Sequence, residues 1–495
     1  MGAAGDVLRE SGRVLVERMA EYLDTVAERP VSTPLAPSDL LGRFAEPLPR
    51  EGRPAEVVWA DVWERVVDDS IHLAHPMYMG HQVAPPLPHA VLADALTSLL
   101  NQSTAVWEMA PTGTGVEQQV VGWMRELLDF PPQSDGTLVS GGSAANLTGL
   151  LAAREATFPG AWRDGVQGSS QLERAAVFVA DHAHYSIERA LGVMGLGHGA
   201  GIRVAERDFR LDPAALERAI ADARSRGRIP LAIVATGGST ATGLFDDLSA
   251  IADIARSESI WLHVDGAHGA SFMASDRLRE RLRGMERADS VSWDPHKMMF
   301  MPISAGAILV RDRRHLDSAF QQTAPYLFHP RPGESRSHDI GRRTLQCSKR
   351  FDALKIWISV QIHGLDHFAR LQEHTVDRAA ALFRKLQEAD DFEPAHAPES
   401  NILCFRHLPV AWRDRPTEEL DSLQNRLREV YNASGRGWIT ATVLGGRRVL
   451  RVTLMNPATT DDHLEALLQG LRDTAAGLTG STGREPSRAG GESRR

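Results

Sequence analysis

A carboxylate and an amine stand thirty-two residues apart in this 495-residue chain, each closing a short apolar run. Asp265 ends Ile260-Trp261-Leu262-His263-Val264, and Lys297 follows Ser290-Val291-Ser292-Trp293 through Asp294-Pro295-His296. A lysine amine condenses with an aldehyde to a Schiff base. An anionic carboxylate within hydrogen-bonding distance raises the pKa of a heteroaromatic nitrogen by charge pairing and keeps it protonated. Pyridoxal 5′-phosphate (PLP) asks a protein for both groups. Singly, a strand-end aspartate and a surface lysine are ordinary; the pair gains weight from its surroundings.

Ser140-Gly141-Gly142-Ser143-Ala144-Ala145-Asn146 follows Leu138-Val139 and precedes a helix-like run. A glycine turn at a helix N-terminus offers free backbone N–H groups and the positive dipole end to an anion. Such turns are common, but beside Lys297 this one is assigned to the cofactor phosphate, through the Ser143 hydroxyl and the Ala144 backbone. His184, in Asp181-His182-Ala183-His184-Tyr185-Ser186, follows the strand-like run 175–180. It therefore lies at a strand's carboxyl end, where open α/β sheets gather their sites. His182 reads as structural. Nothing has the spacing of a zinc site, and His75, His81 and His89 are irregularly placed.

Short β-rich runs at 175–180, 230–236, 260–265 and 305–311 are separated by helix-length segments. That rhythm predicts an α/β fold, a mostly parallel sheet wrapped by helices. Residues 1–84 form an N-terminal helical segment, with an amphipathic helix over 6–28 that places Val7, Val14, Met19, Tyr22 and Leu23 near one face. Residues 85–374 form the large domain and 375–478 a small C-terminal α+β domain. The Gly/Ser/Arg-rich tail 479–495 reads as disordered. A polar loop at 329–344 precedes a long helix from about 350. The small domain is expected to hold helices at 377–389 and 460–475 and strands near 401–406 and 447–454.

Composition narrows the function. Fifty-five basic against 64 acidic residues give a net charge of −9 and no basic surface for nucleic acid. No apolar run approaches the ~20 residues of a membrane span, and the N-terminus lacks a signal-peptide core. Two cysteines, Cys347 and Cys404, exclude a disulfide framework and fit the cytoplasm.

Segment 263–310, with SVSWDPHKMM, and the later LQCSKRFDALKIW resemble the group II PLP-dependent amino-acid decarboxylases, closest to the glutamate/cysteine-sulfinate branch. The resemblance runs from about residue 10 to about 472. It implies the PLP-dependent transferase fold type I, aspartate-aminotransferase-like, in a homodimer whose N-terminal segments pack across the partner subunit and whose active sites lie at the subunit interface. It implies that Lys297 binds the cofactor aldehyde, Asp265 its ring nitrogen, and His184 stacks on the ring. It further assigns Thr240 to Asp265, Ala267 to packing beneath the ring, His296 to the phosphate and Arg451 to a substrate carboxylate. His81 and Gln82 fall near the substrate-pocket positions. One departure stands out: the family's tyrosine, which protonates Cα after CO₂ leaves, falls on His338. Histidine also donates a proton near neutral pH. The resulting expectation is decarboxylation of a small L-amino acid, with acidic ones favoured, to the amine and CO₂. The alternatives are decarboxylation-dependent oxidative deamination or transamination to a carbonyl product, and a catalytically silent homologue acting as a binding partner. The intact lysine, aspartate, glycine turn and arginine weigh against the last.

Overall fold

The computed structural model describes residues 4–329 and 338–480. The sequence expectation of a disordered tail therefore lies, from 481 onward, outside the described residues, as do residues 330–337 of the polar loop at 329–344. The chain divides into two compact units. One comprises Gln82–Ala379 with Pro398–Ile402; the other gathers the chain up to His81, Ala380–Ala397 and the part from Leu403 onward.

The larger unit is built on seven strands: β1 (Asp135–Val139), β2 (Ala175–Ala180), β3 (Gly201–Val204), β6 (Ile229–Thr236), β7 (Trp261–Asp265), β8 (Ser290–Trp293) and β9 (Gly306–Val310). A small hairpin of β4 (Glu206–Arg207) and β5 (Arg210–Leu211) stands apart. The sheet order is β1-β9-β8-β7-β6-β2-β3. Every residue of β2, β7, β8 and β9 is buried. Such runs, buried on both faces, are what a sheet covered by helices on either side requires. The sheet is parallel except at β9, which runs antiparallel to both β8 and β1. A parallel return needs a crossover, usually helical. Residues 294–305 hold no helix long enough to make one, so the chain turns straight back beside β8.

Helix 142–157 crosses this sheet and is buried along most of its length. Its small residues let it lie close: a Cβ on Gly149 would stand 2.7 Å from His263 Nδ1. The long helix expected from about 350 is two helices, Ala353–His363 and Leu365–Glu388. Gly364, at φ +71°, takes the left-handed turn that ends the first. The predicted helix at 377–389 is the end of the second rather than a separate element.

In the other unit, β10 (Phe392–Pro394), β11 (Ile402–His407), β12 (Thr440–Leu444) and β13 (Arg447–Thr453) form a sheet in the order β10-β11-β13-β12. Helix Thr417–Ala433 packs on it through Leu420, Leu423, Leu427 and Tyr431. The N-terminal helix Ala4–Thr25 buries none of its residues. Val7, Val14 and Leu23, read from the sequence as part of its apolar face, are exposed.

One polar cluster beneath the larger sheet carries charge. His182 lies 3.0 Å from Glu206 through Nδ1 and 3.3 Å from Asp246 through Nε2. The other Asp246 oxygen accepts from the Thr236 N–H at 2.7 Å. Burial alone would lower the imidazole's pKa, but hydrogen bonds to both carboxylates and their charges raise it to about 9. A folded-state pKa above the unfolded value of about 6.5 contributes stability that is full below about 6.5 and is lost as pH rises through 9. His182→Gln should therefore cost roughly 3 kcal/mol at pH 6. Denaturant titrations of both proteins from pH 6 to 10 should show that difference shrinking toward alkaline pH; a constant difference would refute the linkage.

Candidate active site

Turns at the carboxyl ends of the parallel strands close around a cavity of about 340 Å³, within the size range of small-ligand sites. The turn after β1 brings Gly141, Gly142, Ser143 and Ala144, and the turn after β2 brings His184. Gly238 and Thr240 follow β6; Asp265 ends β7, with Ala267 and His268 beyond it. Asp294, His296 and Lys297 follow β8. Residues spread over more than 150 positions of sequence thus meet because every strand but β9 points the same way.

The glycine turn leaves no spare room. Gly141 caps helix 142–157 at φ +149°, where side chains are strained. A Cβ on Gly142 would stand 2.9 Å from Asp294 Oδ2 and 3.0 Å from Ala267 Cβ. What remains is a cradle of backbone at a helix N-terminus, suited to an anion. Lys297 Nζ lies 3.3 Å from Asp294 Oδ2, while Asp294 Oδ1 is buried without a hydrogen-bond partner among the described residues. A cavity with a lysine amine, an anion cradle and a carboxylate held ionised is the donor set that PLP needs, and these residues fit it.

The carboxylate is Asp265. Burial disfavours its charge, yet the positive charge of Lys297 and the hydrogen bond from Asn146 help hold its pKa below the usual carboxylate value. Asn146 Nδ2 donates to Oδ2 at 2.9 Å, and Ser292 Oγ and the Ala267 N–H donate to Oδ1 at 3.1 and 3.2 Å. His184 pairs through Nδ1 with Ser186 Oγ at 2.8 Å, and burial lowers its pKa. His296 donates from Nδ1 to the Ala305 carbonyl at 2.7 Å, and burial again lowers its pKa.

The remaining candidates stand elsewhere. Arg451, on β13, is buried in the smaller unit, with its Nη2 3.5 Å from the Gly80 carbonyl and 3.4 Å from Thr453 Oγ1. In that same unit the His81 N–H meets the Tyr78 hydroxyl at 3.2 Å. Gln82 begins the larger unit, and its buried Nε2 has no partner among the described residues. His338 does not line the cavity of its own chain. Its ring lies 5.0 Å from that of Trp107, and its Nδ1 is 3.3 Å from Gln118 Nε2.

Sequence reasoning missed Asn146, Ser292 and His263 behind Asp265. It also missed His268, which lines the cavity and reaches Asn401 Oδ1 through Nε2 at 2.8 Å. A signal was present: polar residues inside the buried runs IWLHVD and SVSW must find partners.

Known proteins give the same picture. Residues 37–408 match a family model described as the pyridoxal-dependent decarboxylase conserved domain. An L-2,4-diaminobutyrate decarboxylase of Rhizobium meliloti is 30% identical over 477 residues, 95% of this chain and 93% of that protein. An aromatic-L-amino-acid decarboxylase of Bacillus atrophaeus is 27% identical over 473 residues, 95% and 96% of the two chains. Among solved structures, Oryza sativa TDC with PLP and tryptamine superposes with a TM-score of 0.88 at 26% identity, covering 96% of this chain and 98% of that one.

The cradle yields a direct test. Gly142→Ala should weaken PLP binding by roughly ten- to a hundredfold, the effect of overpacking a tight site by one methyl. Equilibrium dialysis of the folded variant measures it. Unchanged affinity would mean that the phosphate lies elsewhere.

Proposed function

The chain belongs to the pyridoxal-dependent decarboxylase family, and we propose that within it this enzyme takes a small L-amino acid, releases CO₂ and returns the amine. The fold is that of the type I PLP enzymes, and the cofactor is PLP. The observation that carries the reading is the joining, in one cavity, of the Lys297 amine, the ionised Asp265 and the glycine cradle.

PLP supplies an electron sink for the pair left behind when CO₂ departs. The protein does the rest. Lys297 would hold the cofactor through its aldehyde. Asp265 keeps a proton on the ring nitrogen, and Thr240 supports that carboxylate. His184 would lie against the cofactor ring, and Ala267 would leave room for it. Ser143, Ala144 and His296 hold the phosphate. Arg451 holds a substrate carboxylate: a guanidinium binds one bidentately and stays charged. His81 and Gln82 border the substrate.

His338 delivers the proton to Cα in the partner subunit's site. Its position outside the cavity of its own chain supports this reading, as the exposed apolar residues of helix 4–25 support a homodimer. Neither cysteine forms a disulfide, Cys347 being exposed and Cys404 buried, which supports a cytoplasmic location. Among the described residues no helix is long and apolar enough to cross a membrane.

Purified enzyme with PLP should be offered the twenty amino acids, cysteine sulfinate and 2,4-diaminobutyrate, with CO₂, H₂O₂ and product mass as readouts. The expected result is CO₂ and amine in equal amounts from a small substrate; turnover confined to aromatic amino acids would overturn the substrate class. Lys297→Ala should lose the hydride-reducible PLP adduct and all turnover. An adduct surviving on another lysine would remove Lys297 from its role. For His338→Phe, CO₂ release should persist while product shifts from amine toward carbonyl, because CO₂ leaves before the Cα proton arrives. His338→Tyr should restore the amine. Equal amine-to-CO₂ ratios in all three proteins would make His338 a bystander.

A further inference from the structure

Behind Asp265 the hydrogen bonds form one directed chain. Trp261, His263 and Asp265 alternate onto the same face of β7, and in register His263 pairs with Ser290 and Asp265 with Ser292. Trp261 Nε1 lies 2.9 Å from Ser290 Oγ, which lies 2.8 Å from His263 Nδ1. His263 Nε2 lies 2.9 Å from Asn146 Oδ1. Asn146 Nδ2 reaches both Asp265 Oδ2 and Ser186 Oγ at 2.9 Å, and Ser186 Oγ is 2.8 Å from His184 Nδ1.

Each proton in this chain has one place to go. An indole N–H only donates and an ionised carboxylate only accepts. Asn146 must therefore turn its amide nitrogen to Asp265 and its oxygen to His263, whose Nε2 must carry hydrogen. His263 is fully buried, and burial lowers its pKa to about 4, so it is neutral and its Nδ1 accepts from the Ser290 hydroxyl. The Ser186 backbone N–H also points at His184 Nδ1, at 3.3 Å, so that nitrogen is the acceptor; Ser186 Oγ accepts from Asn146 and donates to it, which leaves the His184 hydrogen on Nε2. Polarity thus runs one way, from Trp261 through His263 to a fork at Asn146. One branch ends on the group that faces the cofactor ring nitrogen, the other on the group that stacks on the ring. Gly149 makes space for it: a Cβ there would stand 2.7 Å from His263 Nδ1 and 3.2 Å from Ser290 Oγ.

We propose that Asn146 and His263 are positioning residues that hold Asp265 as an anion against the cofactor ring and fix His184 in a single tautomer. The proposal rests on the reading of the cavity as the PLP site. The titratable groups facing Asp265 are Lys297, His263 and His184; Lys297, Asp294 and Arg189 also act on His184.

The test compares His263→Phe, which keeps a ring but deletes the Nε2 donor, with His263→Gln, whose amide nitrogen restores a donor near that position. PLP dissociation constants are measured from pH 4 to 8, after melting curves confirm folding. In His263→Phe the Asn146 oxygen loses its donor, so the amide no longer presents its nitrogen firmly to Asp265. Losing that bond raises the proton affinity of the carboxylate. The acid limb of PLP binding should move up by about one pH unit, a tenfold change in the protonation equilibrium, while His263→Gln stays near wild type. Equal behaviour of the two variants, shifted or unshifted, overturns the proposal, because a shift common to both comes from packing. Should His263→Phe not fold, Asn146→Ala makes the same deletion at a helix position that favours alanine; an unmoved acid limb in it overturns the proposal equally. Hydride reduction of the wild type, with the adduct mapped to Lys297, separates failure of the relay from failure of the PLP reading.

Discussion

Charge burial at Asp265 is the constraint around which the larger unit is arranged. A carboxylate only 8% exposed loses several kcal/mol of hydration unless other groups replace it. Here the replacement comes from the amine of Lys297 and from three donors: Asn146 Nδ2, Ser292 Oγ and the Ala267 N–H. Each comes from a different piece of chain. The helix that supplies Asn146 must lie against β7, which requires a small residue at 149, and Ser292 must sit in register with Asp265 on β8. Holding one buried charge thus dictates helix approach, strand register and the polar face of a strand that is otherwise core.

Much of this was legible in the sequence, and the remainder was not for identifiable reasons. The runs at 175–180, 230–236, 260–265 and 305–311 correspond to β2, β6, β7 and β9, because buried parallel strands are continuous apolar segments between glycines and polar turns. Strand direction left no such mark: β9 is as apolar as its neighbours, and only the short connection before it told against a parallel return. The break at Gly364 was hidden because no proline or polar turn cluster marks it. In the smaller unit the helix Thr417–Ala433 did carry a signal, with Leu420, Leu423, Leu427 and Tyr431 at helical spacing, but its polar majority obscured it. At the site, Lys297, Asp265, Ser143 and His184 all line one cavity. Their hydrogen-bonding support stayed invisible, since a histidine or serine in an apolar run gives no hint of which distant side chain satisfies it.

The antiparallel return of β9 has a consequence for how the reactive amine moves. Lys297 lies in the connection 294–305, whose two ends enter strands bonded to each other. Inside it, the Lys297 N–H reaches the Asp294 carbonyl at 2.9 Å, the Phe300 N–H the Lys297 carbonyl at 3.2 Å, and the His296 N–H the Ala305 carbonyl at 3.2 Å. A backbone clamped in this way cannot swing as a hinge. The lysine nitrogen moves by turning about its own methylene bonds. Such rotamer changes belong to roughly the picosecond-to-nanosecond range, not the microsecond-to-millisecond range of moving loops. The amine therefore changes position while its backbone stays in place.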